Sequence, residues 1–218
     1  MTQLDTSLIP SRRAVRRQDK RDAILTVAHR YFLEHGYAGT TMSGIAATLG
    51  GSKGTLWNHF PSKEDLFAAV LDRATQAYRA QLSQILDPCG ELAPTLRRAC
   101  RSLTDKVTSP DAIALQRLII AEGSRFPEMR QIFFDLAPKH TRTLLAGFLE
   151  GAMDRGQLRR ADALDAARAL IALTQAGTHQ QLLMRHIATP SQEQIAADAD
   201  FAVDLFLRAY APEPPPSF

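Results

Sequence analysis

Cysteine is nearly missing from this sequence, with only Cys89 and Cys100 among 218 residues. Eleven positions apart, they make neither a disulfide framework nor a metal-ligand spacing, and they fit two reduced thiols. Aromatics are scarce at 7%. Runs of β-branched residues are almost absent, which argues against a fold built on sheet. No apolar stretch approaches the roughly 20 residues that span a bilayer. The first residues lack the apolar core of a signal peptide. The expectation is a soluble, cytoplasmic chain with no membrane partner.

Strong helix formers dominate what is present: Ala, Leu, Arg and Gln. Net charge is only +3, but it is unevenly spread. Residues 1–63 hold nine Lys/Arg against four Asp/Glu, whereas the remaining 155 hold 17 against 19. A basic front and a near-neutral back point to a polyanion partner for the front alone.

Residues 1–17 read as a basic disordered arm, ending in the run Arg12-Arg13-Ala14-Val15-Arg16-Arg17. The basic run continues through Lys20 and Arg21, and Arg12–Arg21 either reaches into an adjacent DNA minor groove or stays solvated. Ile24, Val27, Ala28, Tyr31 and Phe32 follow at helical spacing, which predicts a helix from about Gln18 to His35 closed by Gly36. Thr41 caps a second short helix whose inner face is Ile45, Ala46 and Leu49. Gly50-Gly51 stops it. Ser52 caps a third helix carrying Leu56, Trp57 and Phe60, and Ser62 with Asp65 starts a fourth that runs towards Leu86. Beyond the break at Asp87–Gly90 only helices are expected: about Leu92–Thr108, Asp111–Arg125, Pro127–Arg155 with Pro138 kinking or splitting it, Leu164–His186, and Ser191–Tyr210. The fold class is all-α, with about nine helices. The expected domains are 18–62 and 63–211, followed by a Pro-rich tail at 212–218.

The stretch Thr41–Phe60 has the parts of a helix-turn-helix. Ala46 is small where two helices would cross. Gly50, four residues on, suits a turn with positive φ. Leu56 and Phe60 supply an apolar inner face, while Ser52, Lys53, Thr55, Asn58 and His59 leave a polar face for a major groove. A plain helical hairpin with a solvated face fits the spacing equally well.

Thr40 through Phe67, from Thr40-Thr41-Met42-Ser43-Gly44-Ile45-Ala46 to Lys63-Glu64-Asp65-Leu66-Phe67, closely resembles the signature of the TetR/AcrR family of bacterial repressors. Arg117–Glu122 and Phe126-Pro127-Glu128 look similar to the C-terminal domain of its AefR-like subgroup. The resemblance implies that the third helix is the recognition helix, so that Thr41, Ser52, Lys53, Gly54, Thr55, Trp57, Asn58, His59 and Lys63 meet double-stranded operator DNA. Thr41 and Lys63 match positions that touch phosphate, and Gly54 one where a small residue allows close approach. Two residues depart from the pattern. Trp57 stands where Tyr is usual, and Gly51 replaces a Val, a loss of about 1–2 kcal/mol by large-to-small reasoning.

For the helical remainder the resemblance implies ligand binding and dimerisation. Two apolar stripes support a homodimer through the last two helices: Ala166, Ala169, Leu170, Leu173, Ala176, Gly177 and Met184, then Ile195, Ala199, Phe201, Ala202, Leu205, Phe206 and Ala209. A small hydrophobic ligand would meet Glu122, Arg125, Phe126, His140, Gln175 or His179, polar or aromatic residues within apolar helices. The expected function is a dimeric repressor released from a near-palindromic operator by such a ligand. The alternative is a ligand-sensing module without sequence-specific DNA binding, which Gly51 keeps open. Catalysis is not expected, and neither is a cofactor or metal. Gly50-Gly51-Ser52-Lys53-Gly54-Thr55 has the wrong order for a phosphate loop, and His179 with His186 lacks a carboxylate partner.

Overall fold

The computed structural model describes residues 12–50 and 53–212. Among them every regular element is a helix, eleven in all. The chain divides into two compact units, Met1–Val70 and Leu71–Phe218.

In the first unit, α1 (Arg12–Gly39) is followed by α2 (Met42–Thr48), α3 (Lys53–His59) and the start of α4 (Lys63–Ile85). The helix begins at Arg12, not Gln18, so the arm expected as disordered is helical over residues 12–17. Nothing between Arg12 and His35 breaks a helix, and Arg, Ala and Gln favour one. The rest of that arm, residues 1–11, lies outside the described residues, as do Gly51, Ser52 and most of the Pro-rich tail. Gly36 interrupts α1 with φ 73°, a conformation that favours glycine. The unit extends to Val70, beyond the expected boundary at Ser62. The reason is packing: Phe67 meets Phe32 and Tyr37 edge-on, with centroids 5.0 and 5.3 Å away.

The second unit holds α5 (Leu92–Thr108), α6 (Pro110–Glu122), α7 (Pro127–Leu136), α8 (Pro138–Asp154), α9 (Ala163–Gln175), α10 (Thr178–Leu183) and α11 (Gln192–Ala209), together with the rest of α4. Its core is built at helical spacing. Leu96, Ala99, Cys100 and Leu103 of α5 pack with Leu145, Leu149 and Ala152 of α8, Ala166, Ala167 and Leu170 of α9, and Ala199, Val203 and Phe206 of α11. The alanines let the helices approach closely. Burial pushes the Cys100 thiol up to about 11, so it stays protonated near neutral pH. Cys89 is exposed.

Pro138 splits the expected long helix: α7 stops at Leu136 and α8 starts at the proline, whose missing N–H is harmless at a first helical position. The expected helix Leu164–His186 is also divided, which the sequence did not signal. Gly177 adopts φ −99°, ψ −113° between α9 and α10. The cause lies on α11: an Asp198 oxygen accepts from the Thr178 N–H at 2.7 Å. A Cβ on Gly177 would collide with the other oxygen. A remote carboxylate thus caps α10, and only glycine leaves it room.

Candidate DNA interface

The recognition segment rests on a small aromatic core. Phe32 stacks on Tyr37, and both meet Phe67. The Tyr37 hydroxyl donates to Glu64 at 3.0 Å. Lys63 donates to the Tyr37 carbonyl at 3.0 Å and lies 4.0 Å from the centroid of the same ring. The first turn of α4 is thereby fastened to the end of α1. Ser62 accepts from the Asp65 N–H at 3.0 Å, closing the expected cap. Glu64 stays ionised below the usual carboxylate range, held there chiefly by its backbone hydrogen bond and also by Tyr37, Ser62 and Lys63.

Against this base the two short helices are oriented by local chemistry. Thr41 caps α2 by accepting from the Gly44 N–H at 3.0 Å. Its hydroxyl hydrogen remains for a second partner. Gly44 leaves room for Tyr31, whose hydroxyl would lie 2.5 Å from a Cβ there and would have to shift. Gly50 has φ 63°, as a left-handed turn needs. Ile45, Ala46, Leu56 and Phe60 are all buried, so the inner faces expected of α2 and α3 are the ones that pack.

The outer face of α3 is open. Gly54, Trp57 and Asn58 are exposed, and Thr55 and His59 are half-buried. Lys53 is the first residue of α3. Trp57, the one tryptophan of the chain, is 38% exposed. A Cβ on Gly54 meets no atom within 4 Å. Packing within the described residues therefore gives no reason for glycine at this helical position, where it costs about 0.5–1 kcal/mol relative to alanine.

The basic run read from the sequence flanks α3. The Arg21 guanidinium lies 4.4 Å from the Phe60 ring centroid. His59 has its pKa lowered, first by burial and then by the charges of Arg17, Arg21 and Lys20. Arg13, Arg17 and Arg21 continue the i, i+4 register that leads to Leu25.

The six residues expected to meet a ligand differ in exposure. Glu122, Arg125 and Phe126 share the turn after α6, where the Arg125 and Phe126 N–H groups donate to the Glu122 carbonyl at 2.9 and 3.1 Å. Arg125 and His140 are exposed, because both sit at helix ends facing away from the core. Gln175 ends α9 and is half-buried. His179 alone is deeply buried, and its Nε2 lies 2.7 Å from Gln116 Oε1. The His179 Nδ1 is buried as well. That atom and the buried Arg142 Nε have no hydrogen-bond partner among the described residues, while Tyr78 Oη lies by Thr141. Tyr78, Arg142 and Gln116 were not singled out, because burial is not readable from a polar residue alone. A separate surface groove of about 190 Å³ runs between Ser83, Leu86 and Pro88 and the α8 residues Leu144, Gly147, Phe148 and Gly151. It is smaller than the roughly 300–1,000 Å³ of ordinary ligand pockets.

Comparison with known proteins agrees with this geometry. The model for bacterial regulatory proteins of the tetR family matches residues 24–70, and that for the C-terminal domain of AefR-like transcriptional repressors matches residues 94–212. The HTH-type transcriptional repressor AcnR of Corynebacterium diphtheriae is 45% identical over 51 residues, 23% of this chain and 27% of its own. The HTH-type transcriptional regulator UidR of Escherichia coli is 30% identical over 116 residues, 51% of this chain and 56% of its own. These sequence matches thus span only part of each relative. Solved structures match further. The flavonoid-responsive regulator FrrA superposes with a TM-score of 0.75 at 29% identity, covering 90% of this chain and 100% of that one. SmeT, the repressor of the Stenotrophomonas maltophilia multidrug efflux pump SmeDEF, gives a TM-score of 0.66 at 26% identity, covering 92% and 99%. With an N-terminal helix-turn-helix, an all-helical C-terminal unit and family matches in both, this chain belongs to the TetR family of transcriptional regulators, in its AefR-like branch.

Proposed function

We propose that this chain is a dimeric repressor that grips a near-palindromic operator through α3 and lets go when a small molecule enters the second unit. The observation that carries the DNA reading is Gly54. A glycine that packing among the described residues does not need, in the first turn of an exposed helix, fits close approach by an external partner. Thr41, Ser52, Lys53, Thr55, Trp57, Asn58, His59 and Lys63 are assigned to the same interface, phosphate contacts fixing position and base-edge contacts supplying sequence.

A dimer is supported by α11. Ile195, Ala199, Ala202 and Phe206 of the expected stripe are buried within the chain, but Phe201 and Leu205 are 57% and 36% exposed. With Ala197 they form an apolar line at i, i+4 and i+8. Of the stripe expected on the preceding helix, Ala166 and Leu170 are buried in the chain's own core, whereas Ala176 and Met184 are exposed. A two-fold dimer would offer two copies of α3 to successive major grooves.

The ligand reading rests on His179 Nδ1 and Arg142 Nε, buried polar atoms of a kind that ordinary cores satisfy. A small, mostly apolar molecule carrying hydroxyl groups can hydrogen-bond to either. The solved neighbour named as flavonoid-responsive has that chemistry in its effector class. Release requires that the ligand bind one arrangement of the dimer better than the other.

Trp57 provides the test. Duplex DNA from upstream of the gene should quench its fluorescence, saturating at two or a multiple of two chains per duplex. Scrambled duplex should quench only at much higher concentration. Equal, weak quenching by both would sink the reading.

Two further outcomes follow from the same contacts. Lys63→Ala should cost the first unit about 1–2 kcal/mol, since it removes a charged hydrogen bond and a cation–π contact. It should also weaken binding to operator and scrambled DNA alike. A changed sequence preference, read by competition, would contradict the phosphate assignment. His179 has its pKa lowered by burial, with only the Gln175 carbonyl opposing, outside hydrogen-bond geometry. The unfolded chain therefore takes up a proton near pH 6.5 that the folded chain refuses. Its contribution is intact above pH 6.5 and is lost as pH falls below it. Urea midpoints at pH 7.5 and 5.5 should differ less in His179→Gln than in the wild type.

A further inference from the structure

We infer that the first turns of α1, residues 12–21, are a helical rail that lies along the DNA phosphates beside the recognition helix. The inference rests on the DNA reading above and adds a second contact surface to it.

Six of these ten residues are Arg or Lys, against one Asp. All ten are helical, and residues 12–20 are exposed. Position is given by one contact and is consistent with the electrostatics of His59. Arg21 covers the Phe60 ring just past the end of α3, and His59, the last residue of α3, feels the charges of Arg17, Arg21 and Lys20. The face that buries Leu25 continues upward through Arg21, Arg17 and Arg13 at four-residue steps. At 1.5 Å per residue these three span about 12 Å, so the charged face projects two turns beyond the packed core. Packing among the described residues of the unit does not explain so many cations on one exposed stretch.

Shape decides what the rail can touch. An α-helix with its side chains is about 10–12 Å across, whereas the minor groove is about 6 Å wide. The segment cannot thread that groove as an extended arm would. It can lie against the sugar–phosphate ridge, where each neutralised phosphate steepens the salt dependence.

The test uses the full chain and a fluorescent upstream duplex, with affinity read at several salt concentrations. Replacing Arg12, Arg13 and Arg16 together by Gln removes charge from exposed positions. The expected result is affinity weaker on the order of tenfold at 0.15 M salt, equally for operator and scrambled DNA. The log–log salt slope should be shallower by about 0.9 for each phosphate that the dimer no longer neutralises. Gln18→Pro keeps every charge but unravels residues 12–17, and should show the same weakening. An unchanged slope in the triple variant would overturn the rail. Wild-type binding by Gln18→Pro, with weakening in the triple variant, would overturn its helical form and leave a flexible arm. A thermal melt shows whether Gln18→Pro folds; if it does not, the triple variant alone decides. Anionic phosphatidylglycerol vesicles that bind the wild type more tightly than DNA would also overturn it, by showing a lipid partner. Failure of the operator reading looks different: the wild type itself would not distinguish operator from scrambled duplex.

Discussion

Gly54→Leu should abolish operator binding while leaving the melting temperature of the chain unchanged or slightly raised. The position is helical, exposed and open around the place a Cβ would occupy. Leucine is a helix former and Gly54 lies in the first turn of α3, so the change in helix stability is small. On DNA the added side chain stands where α3 must come nearest the groove. Weakening the complex by about 2–4 kcal/mol corresponds to roughly thirty- to a thousandfold in affinity. Stability and binding thus move apart, which a general folding defect cannot imitate. Calorimetric melting and a duplex titration on the same sample would check it. A variant that binds like the wild type would remove Gly54 from the interface.

The second large effect concerns assembly. Phe201 and Leu205 are exposed apolar residues one turn apart on α11. Changing both to Lys places like charges across a two-fold contact and touches no buried residue. The expected product is a folded monomer. Two tethered half-site contacts act at an effective concentration near the millimolar range, so a monomer should bind the operator more weakly by on the order of a thousandfold. Sedimentation and duplex titration together read this. A monomer that retains wild-type affinity would show that the two half-sites are not coupled through these helices. A variant that remains dimeric would place the interface elsewhere, the exposed Ile120 and Met184 being the next apolar positions.

Which features could be read in advance follows the range of the interactions. Thr41, Gly50, Ser62 and Pro138 act within a few residues of themselves, through caps, a left-handed turn and a missing N–H, and each does in the structure what its spacing implied. Leu56 and Phe60 were legible because one face of a short helix must bury something. The break at Gly177 was not, since its cause is Asp198 on another helix. The apolar surface of α11 reads as one broad stripe in sequence. Only packing separates Phe206, which faces the chain's own core, from Phe201, which does not. The same limit applies to the ligand candidates: His140 and His179 look alike in sequence, but one is exposed and the other buried against Gln116.

Specific DNA recognition through α3 is tested most directly by one titration: the chain against a duplex from upstream of its own gene and a scrambled duplex, at low and physiological salt, with Gly54→Leu alongside. The predicted result is tight, cooperative binding to the upstream duplex that weakens steeply with salt. A preference on the order of a thousandfold or more over scrambled DNA is expected, since specific regulators span about 10³–10⁷, and Gly54→Leu should lose it. Equal affinity for both duplexes, or an unaffected Gly54→Leu, would contradict recognition through this helix.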